Sequence, residues 1–153
     1  MAQPVYAQPV LPPFDGGKGT EKDPFLIRLD SHLAVINDLE WREYHFKQTA
    51  DISLAAYGDK WQSIGSADYD FSGSYDGDDY KISDLIINDS NADNVGLFGF
   101  TEAGSLIKNV NVSFYSDNLD FDIVGRYNFN SLVGFASRGV KSSYFFHPVQ
   151  REY

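Results

Sequence analysis

Asn94-Val95-Gly96-Leu97-Phe98-Gly99-Phe100, followed by Gly104, and Asn130-Ser131-Leu132-Val133-Gly134-Phe135, followed by Gly139, read as one element written twice. Leu97 aligns with Leu132, Gly99 with Gly134, Phe100 with Phe135 and Gly104 with Gly139, each 35 residues apart. A constant offset over four positions marks a repeat in register and not a shared dipeptide. Units of such a period cannot bury an apolar face alone, so they stack, each covering its neighbour. The glycines admit positive φ or a close approach at a corner, while Leu97, Phe98, Leu132 and Val133 are expected to supply inward and outward faces. Shape and surface, with chemistry second, are the business expected of such a chain.

The rest of the composition agrees with one strand-rich domain. At 153 residues the chain can bury most of its unfolded surface but is too short for two independent cores. Its 12 Phe, 10 Tyr and 13 Gly sit in short apolar runs broken by Asn, Asp, Ser and Gly, the profile of an all-β protein. Of 22 acidic residues 17 are Asp, a turn and cap former, so the acidic skew itself points to many turns. A net charge of −10 repels phosphate backbones and anionic headgroups, which argues against nucleic-acid and membrane-surface partners. Without cysteine there is neither a disulfide frame nor a thiolate metal site. No apolar run of about 18 residues suggests a membrane span, so no membrane insertion is expected. The start lacks the pattern of a secretory signal, as fits a mature exported protein preceded by an added Met1, or a native cytoplasmic start with release by lysis.

Along the chain, residues 1–15 form a proline-rich arm in which Ala-Gln-Pro-Val-Tyr is followed by Ala-Gln-Pro-Val-Leu. Proline at this density fixes φ and removes donors, so the arm is extended and outside any sheet, with Pro4, Val5, Tyr6, Pro9, Val10 and Leu11 as candidate assembly contacts. Gly16-Gly17-Lys18-Gly19-Thr20 hints at a phosphate loop but lacks the closing Gly-Lys-Ser/Thr. A first strand is predicted at Phe25-Leu26-Ile27-Arg28-Leu29. One amphipathic helix follows, capped by Ser31, carrying Leu33, Val35, Ile36 and Leu39 and ending near Trp41; it is expected to cover the open end of a stack. Strands are then predicted at Phe46 with Ile52-Ser53-Leu54, and at 61–64, 69–75, 82–87, 95–100, 106–114, 132–135 and 140–146. Asp76-Gly77 reads as a tight turn before the strand at 82–87. Residues 115–129 read as a protruding loop, and 147–153 as a C-terminal tail.

These residues carry a family resemblance. Asn94-Val95-Gly96-Leu97-Phe98-Gly99 with Gly104-Ser105-Leu106-Ile107-Lys108-Asn109-Val110 resembles the GLUG motif of surface and secreted bacterial proteins, among them adhesins and IgA-cleaving metallopeptidases. The ordered lead-in resembles the same proteins, through Gly16-Gly17-Lys18-Gly19-Thr20, Asp23-Pro24-Phe25, Trp61-Gln62-Ser63-Ile64-Gly65, Phe71-Ser72-Gly73-Ser74-Tyr75-Asp76-Gly77 and Ile82-Ser83-Asp84-Leu85. The likeness covers residues 16–146, with repeats at 94–112 and 130–146. It implies a right-handed parallel β-helix located extracellularly or on the cell surface, and no particular activity. The second repeat departs from the pattern, with Ser131 for Gly96 and Val140-Lys141-Ser142-Ser143 for the Ile-Lys-Asn run, as a terminal unit does.

Candidate chemistry is sparse. Asp68 with Asp70, Asp76 with Asp78 and Asp79, and Asp120 with Asp122 have the carboxylates of a glycosidase pair or a calcium site, yet adjacent acids at turns are commonplace. A weakly bound Ca²⁺ at Asp76, Asp78 and Asp79 would relieve their mutual repulsion, and no other cofactor is expected. His32, His45 and His147 lack metal-ligand spacing and are expected to cap, stack or face solvent. Neither Gly-x-Ser-x-Gly nor a thiol nucleophile is present. Tyr115, Phe121, Tyr127 and Phe129 are candidates for a sugar-stacking or protein-contact patch, with core packing as the alternative. The resulting expectation is a non-enzymatic adhesive or structural β-solenoid with a protein or glycan partner. An alternative is a virion or filament subunit, a homo-oligomer assembled through the arm. A polysaccharide-acting enzyme is the third reading.

Overall fold

The computed structural model describes residues 11–88, 94 and 96–112, together with the backbone of Ile123–Val124, Val133–Ala136 and Tyr144–Phe146. It is built mostly of short strands with little helix. The strands are β1 (Phe25–Ile27), β2 (His45–Gln48), β3 (Ile52–Ser53), β4 (Ser74–Asp76), β5 (Lys81–Ser83), β6 (Ile87–Asn88), β7 (Phe98–Thr101), β8 (Leu106–Lys108), β9 (Val110–Val112), β10 (Ile123–Val124), β11 (Val133–Ala136) and β12 (Tyr144–Phe146). They form a first sheet in the order β1-β2-β4-β8, a second in the order β3-β5-β9-β12, and two pairs, β6-β10 and β7-β11. Every pairing between these strands is parallel.

The repeat read in the sequence is the register of one of these ladders. Phe98 pairs with Val133, Phe100 with Phe135 and Thr101 with Ala136, the same offset of 35 residues. Upstream, Ile64 bridges Phe98 and Phe71 bridges Thr101, both in the parallel sense, so this ladder also extends backwards.

Alternation within the strands fills the core. Along β2, Phe46 and Gln48 are buried while His45 and Lys47 are half-buried, the period of two that a one-faced strand requires. Register then stacks like on like, with Phe25, Phe46, Tyr75 and Ile107 forming one buried row across the first sheet. Ile52, Ile82 and Val112 form the matching row across the second. Each such side chain, moved out of water, contributes about 1.5–3 kcal/mol. Gln48 is the polar member of this interior and is fully satisfied. Its Nε2 donates to the carbonyls of Ala50 at 2.9 Å and Lys81 at 3.1 Å, and its Oε1 accepts from the Tyr75 hydroxyl at 3.0 Å. Burial holds that hydroxyl protonated far above the usual tyrosine range, so it remains a donor at any pH the fold survives.

The end of the first sheet is covered, though not as the periodicity suggests. The helix, α1 (Asp30–Val35), is six residues long, and turns occupy the residues read as its continuation to Trp41. Leu29, not Ser31, occupies the N-cap position, and His32 Nδ1 accepts from the Leu29 amide at 3.3 Å and the Arg28 amide at 3.1 Å. Four of the expected apolar contacts resolve differently: Leu33 and Ile36 are buried in the core, Val35 is half-buried and Leu39 is 61% exposed. Trp41 completes the lid from the turn region, set edge-on to both Phe14 at 5.4 Å and Phe25 at 5.7 Å. Phe14, read as part of the arm, stacks on Phe25 at 4.8 Å, and the Asp15 amide and Gly16 carbonyl bond Leu26 across the free edge of β1.

Other boundaries shift for one reason, which is that the chain turns corners between sheets. Asp76-Gly77 does not close a hairpin, because β4 and β5 belong to different sheets. The predicted strand 106–114 is likewise two strands, β8 and β9, broken at Asn109, whose φ is +53°. Leu97 and Phe98 are both fully buried, so they do not divide between an inner and an outer face. The predicted loop 115–129 contains β10, which pairs with β6. The predicted strand 61–64 is reduced to the single bridge at Ile64.

Candidate functional site

Corners are where this chain spends its aspartates. Among the described residues, the non-glycine residues with positive φ are Asp78, Asp79, Asp84, Asn94 and Asn109, all of the two types whose short polar side chains tolerate that region. Their carboxylates and those nearby tie strand to strand. Asp84 Oδ2 accepts from Ser53 Oγ at 2.6 Å and Ser83 Oγ at 3.2 Å, and Asp51 Oδ1 accepts from the Lys81 amide at 2.8 Å.

The richest corner surrounds Asp76. Its Oδ1 accepts from Asn109 Nδ2 at 3.0 Å and from the Asp78 amide at 2.9 Å, while Lys108 Nζ lies 3.6 Å from Oδ2 and Lys47 Nζ lies 3.6 Å from Asp78. Gly77 is required here, since a Cβ would stand 2.3 Å from the Asn109 carbonyl oxygen. Partial burial works to raise the Asp76 pKa, but the Asn109 amide, the Asp78 N–H and the two lysines outweigh it and hold the carboxyl below its ordinary range. No group of three or more His, Asp or Glu that could hold a metal ion is found among the described residues.

A prediction about pH follows from that geometry. Because the Asp76 pKa is lower folded than unfolded, its stabilising share is in place above the ordinary value of 3.8 and is lost as pH falls through the depressed folded value. Thermal melts of the wild type and of Asp76→Asn between neutral pH and pH 3 should show a gap that narrows on acidification. A gap constant with pH would show that the carboxylate charge contributes nothing.

Other expected site residues fall differently. Tyr115, Phe121, Tyr127 and Phe129 lie outside the described residues, as do Pro4, Val5, Tyr6, Pro9, Val10, His147, Asp120 and Asp122. Leu11 is 80% exposed. His45 Nδ1 and Ser74 Oγ approach to 2.6 Å as register neighbours in the first sheet, a pair that 29 residues of separation hid. No described carboxylate bonds the other ring nitrogen, so the pair reads as a ladder contact and not as a nucleophile with its base.

One concave feature was not anticipated at all. A notch of about 180 Å³ is lined by Ala34, Asn37, Asp38, Tyr57, Lys60, Trp61 and Gln62. The Tyr57 and Trp61 rings meet edge to face at 5.4 Å and 89°. Asn37 is rigidly held, with its Oδ1 accepting from the Gly65 amide at 3.0 Å and Arg42 Nη2 at 3.1 Å. Arg42 also bonds the Asn37 carbonyl at 2.8 Å and the Tyr69 carbonyl, so one guanidinium pins the segment after α1 to the 65–70 turn. Two separate stretches of chain, 34–38 and 57–62, build this notch, which is why no local motif announced it.

Comparison with known proteins adds context. The chain matches no family model and no solved structure. It is 34% identical over 104 residues to a protein of Evansella cellulosilytica named as a Gly-rich membrane protein, covering 65% of this chain and 12% of that one. It is 41% identical over 98 residues to Halomucin of Haloquadratum walsbyi, covering 61% of this chain and 1% of that one. The chain thus spans a small fraction of the length of either relative. No helix among the described residues is long and apolar enough to cross a membrane.

Proposed function

We propose that this chain is a non-enzymatic, right-handed parallel β-helix module that presents a stiff binding surface at the cell exterior. The supporting observation is the order in which the chain visits its sheets. It runs first sheet, second sheet, β6-β10 pair, β7-β11 pair from β4 to β7, and repeats that order from β8 to β11 before β12 rejoins the second sheet. Successive visits in one order, always parallel, are what a coil produces, and parallel crossovers are right-handed in nearly all proteins. The corner carboxylates support the non-enzymatic part, since Asp51, Asp76 and Asp84 are bonded to the next strand instead of facing one another across a cleft. The likeness to small parts of much longer proteins, one of them named as a membrane protein, favours an accessory module on a surface over a free-standing catalyst.

Three measurements test this. Inter-strand nuclear Overhauser contacts should be parallel between successive visits to each sheet; antiparallel contacts contradict the coil. Antibody raised to the folded chain should label intact producing cells, and labelling only after lysis contradicts the surface assignment. Incubation with neutral and acidic polysaccharides, with and without Ca²⁺, should leave no new reducing or unsaturated ends; their appearance would establish an enzyme.

A further inference from the structure

We infer that the notch beside α1 is a subsite for a single neutral sugar ring, an inference that rests on the surface-module reading for its context and on its own geometry for its chemistry. At about 180 Å³ the notch is smaller than the sites of drug-sized ligands, about 300–1,000 Å³, and suits one ring. Its walls have the two characters a sugar needs. The half-buried Tyr57 ring, backed edge to face by the buried Trp61, forms an apolar wall for the C–H face of a pyranose. Around it stand Asp38, Lys60 and Gln62, all exposed. Together they offer a carboxylate acceptor, an ammonium donor, and an amide that does both, the inventory that hydroxyl groups match. Asn37 is pinned through its Oδ1 by Arg42 and Gly65, which leaves its Nδ2 as the uncommitted donor.

A second observation falls on the same wall. Trp61 is 5% exposed, and its indole Nε1 is the one buried side-chain nitrogen or oxygen without a hydrogen-bond partner among the described residues. That unpaired donor carries a desolvation cost, and because the atom has no exposed surface of its own it meets a ligand hydroxyl only where the Tyr57–Trp61 wall shifts to admit it. The ligand is neutral on two counts. The rim balances one carboxylate against one ammonium, and the chain's net charge of −10 disfavours acidic glycans.

The test uses the full chain, labelled with ¹⁵N and titrated with the methyl glycosides of glucose, galactose, mannose and N-acetylglucosamine. At least one should move the amide signals of residues 57–62 and the Trp61 indole signal, with a Kd of about 1 mM, the strength a ligand of this size reaches. Asp38→Ala and Gln62→Ala, both at exposed positions, should keep the spectrum of the folded core and weaken binding by about fivefold to tenfold each. The inference is overturned if no glycoside moves these signals, or if binding is unchanged in both variants. Glycan capture by the whole chain that survives both variants likewise removes the sugar from this notch while leaving the surface role intact; antiparallel contacts between successive sheet visits would remove the coil while leaving sugar binding here intact.

Discussion

Replacing Phe98 by Ala should lower the unfolding free energy by about 3–5 kcal/mol. Phe98 is fully buried and is where two directions of packing cross. Its ring lies 5.0 Å from Phe71 and 5.7 Å from Tyr75, while its backbone pairs Ile64 on one side and Val133 on the other. An alanine there removes apolar area and opens a cavity that neighbours fixed by two parallel ladders cannot collapse to fill. Urea denaturation gives the number directly. Leu39→Ala, at a position 61% exposed, should stay within about 0.5 kcal/mol of wild type and serves as the control. A Phe98→Ala loss no larger than the control would mean that residues 64, 98 and 133 are not consecutive layers of one core.

The second large effect concerns backbone and not side chain. Gly65 has φ +89°, and a Cβ there would lie 2.2 Å from the Phe100 carbonyl oxygen and 2.9 Å from the Phe71 nitrogen. Gly65→Ala therefore carries two costs, about 1–3 kcal/mol for the strained conformation and about 1–3 kcal/mol more for displacing the adjoining strand. Gly58 has φ +53° with nothing within 4 Å of its would-be Cβ, so Gly58→Ala carries only the first. Melting both variants beside the wild type separates the two contributions. Equal losses would contradict close layering at Gly65, whereas a clearly greater loss at Gly65 measures it.

The comparison of sequence with structure turns on what a periodic pattern encodes. The offset between the two glycine-punctuated blocks was legible because a ladder in register writes itself as a repeat, and β7 pairs with β11 at the same offset, Phe100 opposite Phe135. The abundance of Asp was legible as turn chemistry and reappears as positive φ at Asp78, Asp79 and Asp84. Strand limits were not. A parallel ladder and a hairpin both place turn residues between apolar runs, so Asp76-Gly77 reads alike for either, and only the long-range partners of β4 and β5 distinguish a corner.

Helix length failed for a related reason. Leu33, Val35, Ile36 and Leu39 have helical spacing, but Arg42 draws the chain after α1 toward the 65–70 turn through the Asn37 and Tyr69 carbonyls, and that tertiary pull ends the helix. The notch escaped notice altogether, since its Asn37, Tyr57 and Gln62 belong to no shared motif and meet only because two segments converge.

The central claim is that residues 98–101 and 133–136 are adjacent parallel layers. Inter-strand nuclear Overhauser contacts in deuterated, amide-protonated protein test it most directly. The account predicts contacts linking Phe98 with Val133, Phe100 with Phe135 and Thr101 with Ala136, continuing back from Phe98 to Ile64. Contacts in the antiparallel sense, or pairing of residues 74–76 with 81–83 as a hairpin and none between 98–101 and 133–136, would contradict it.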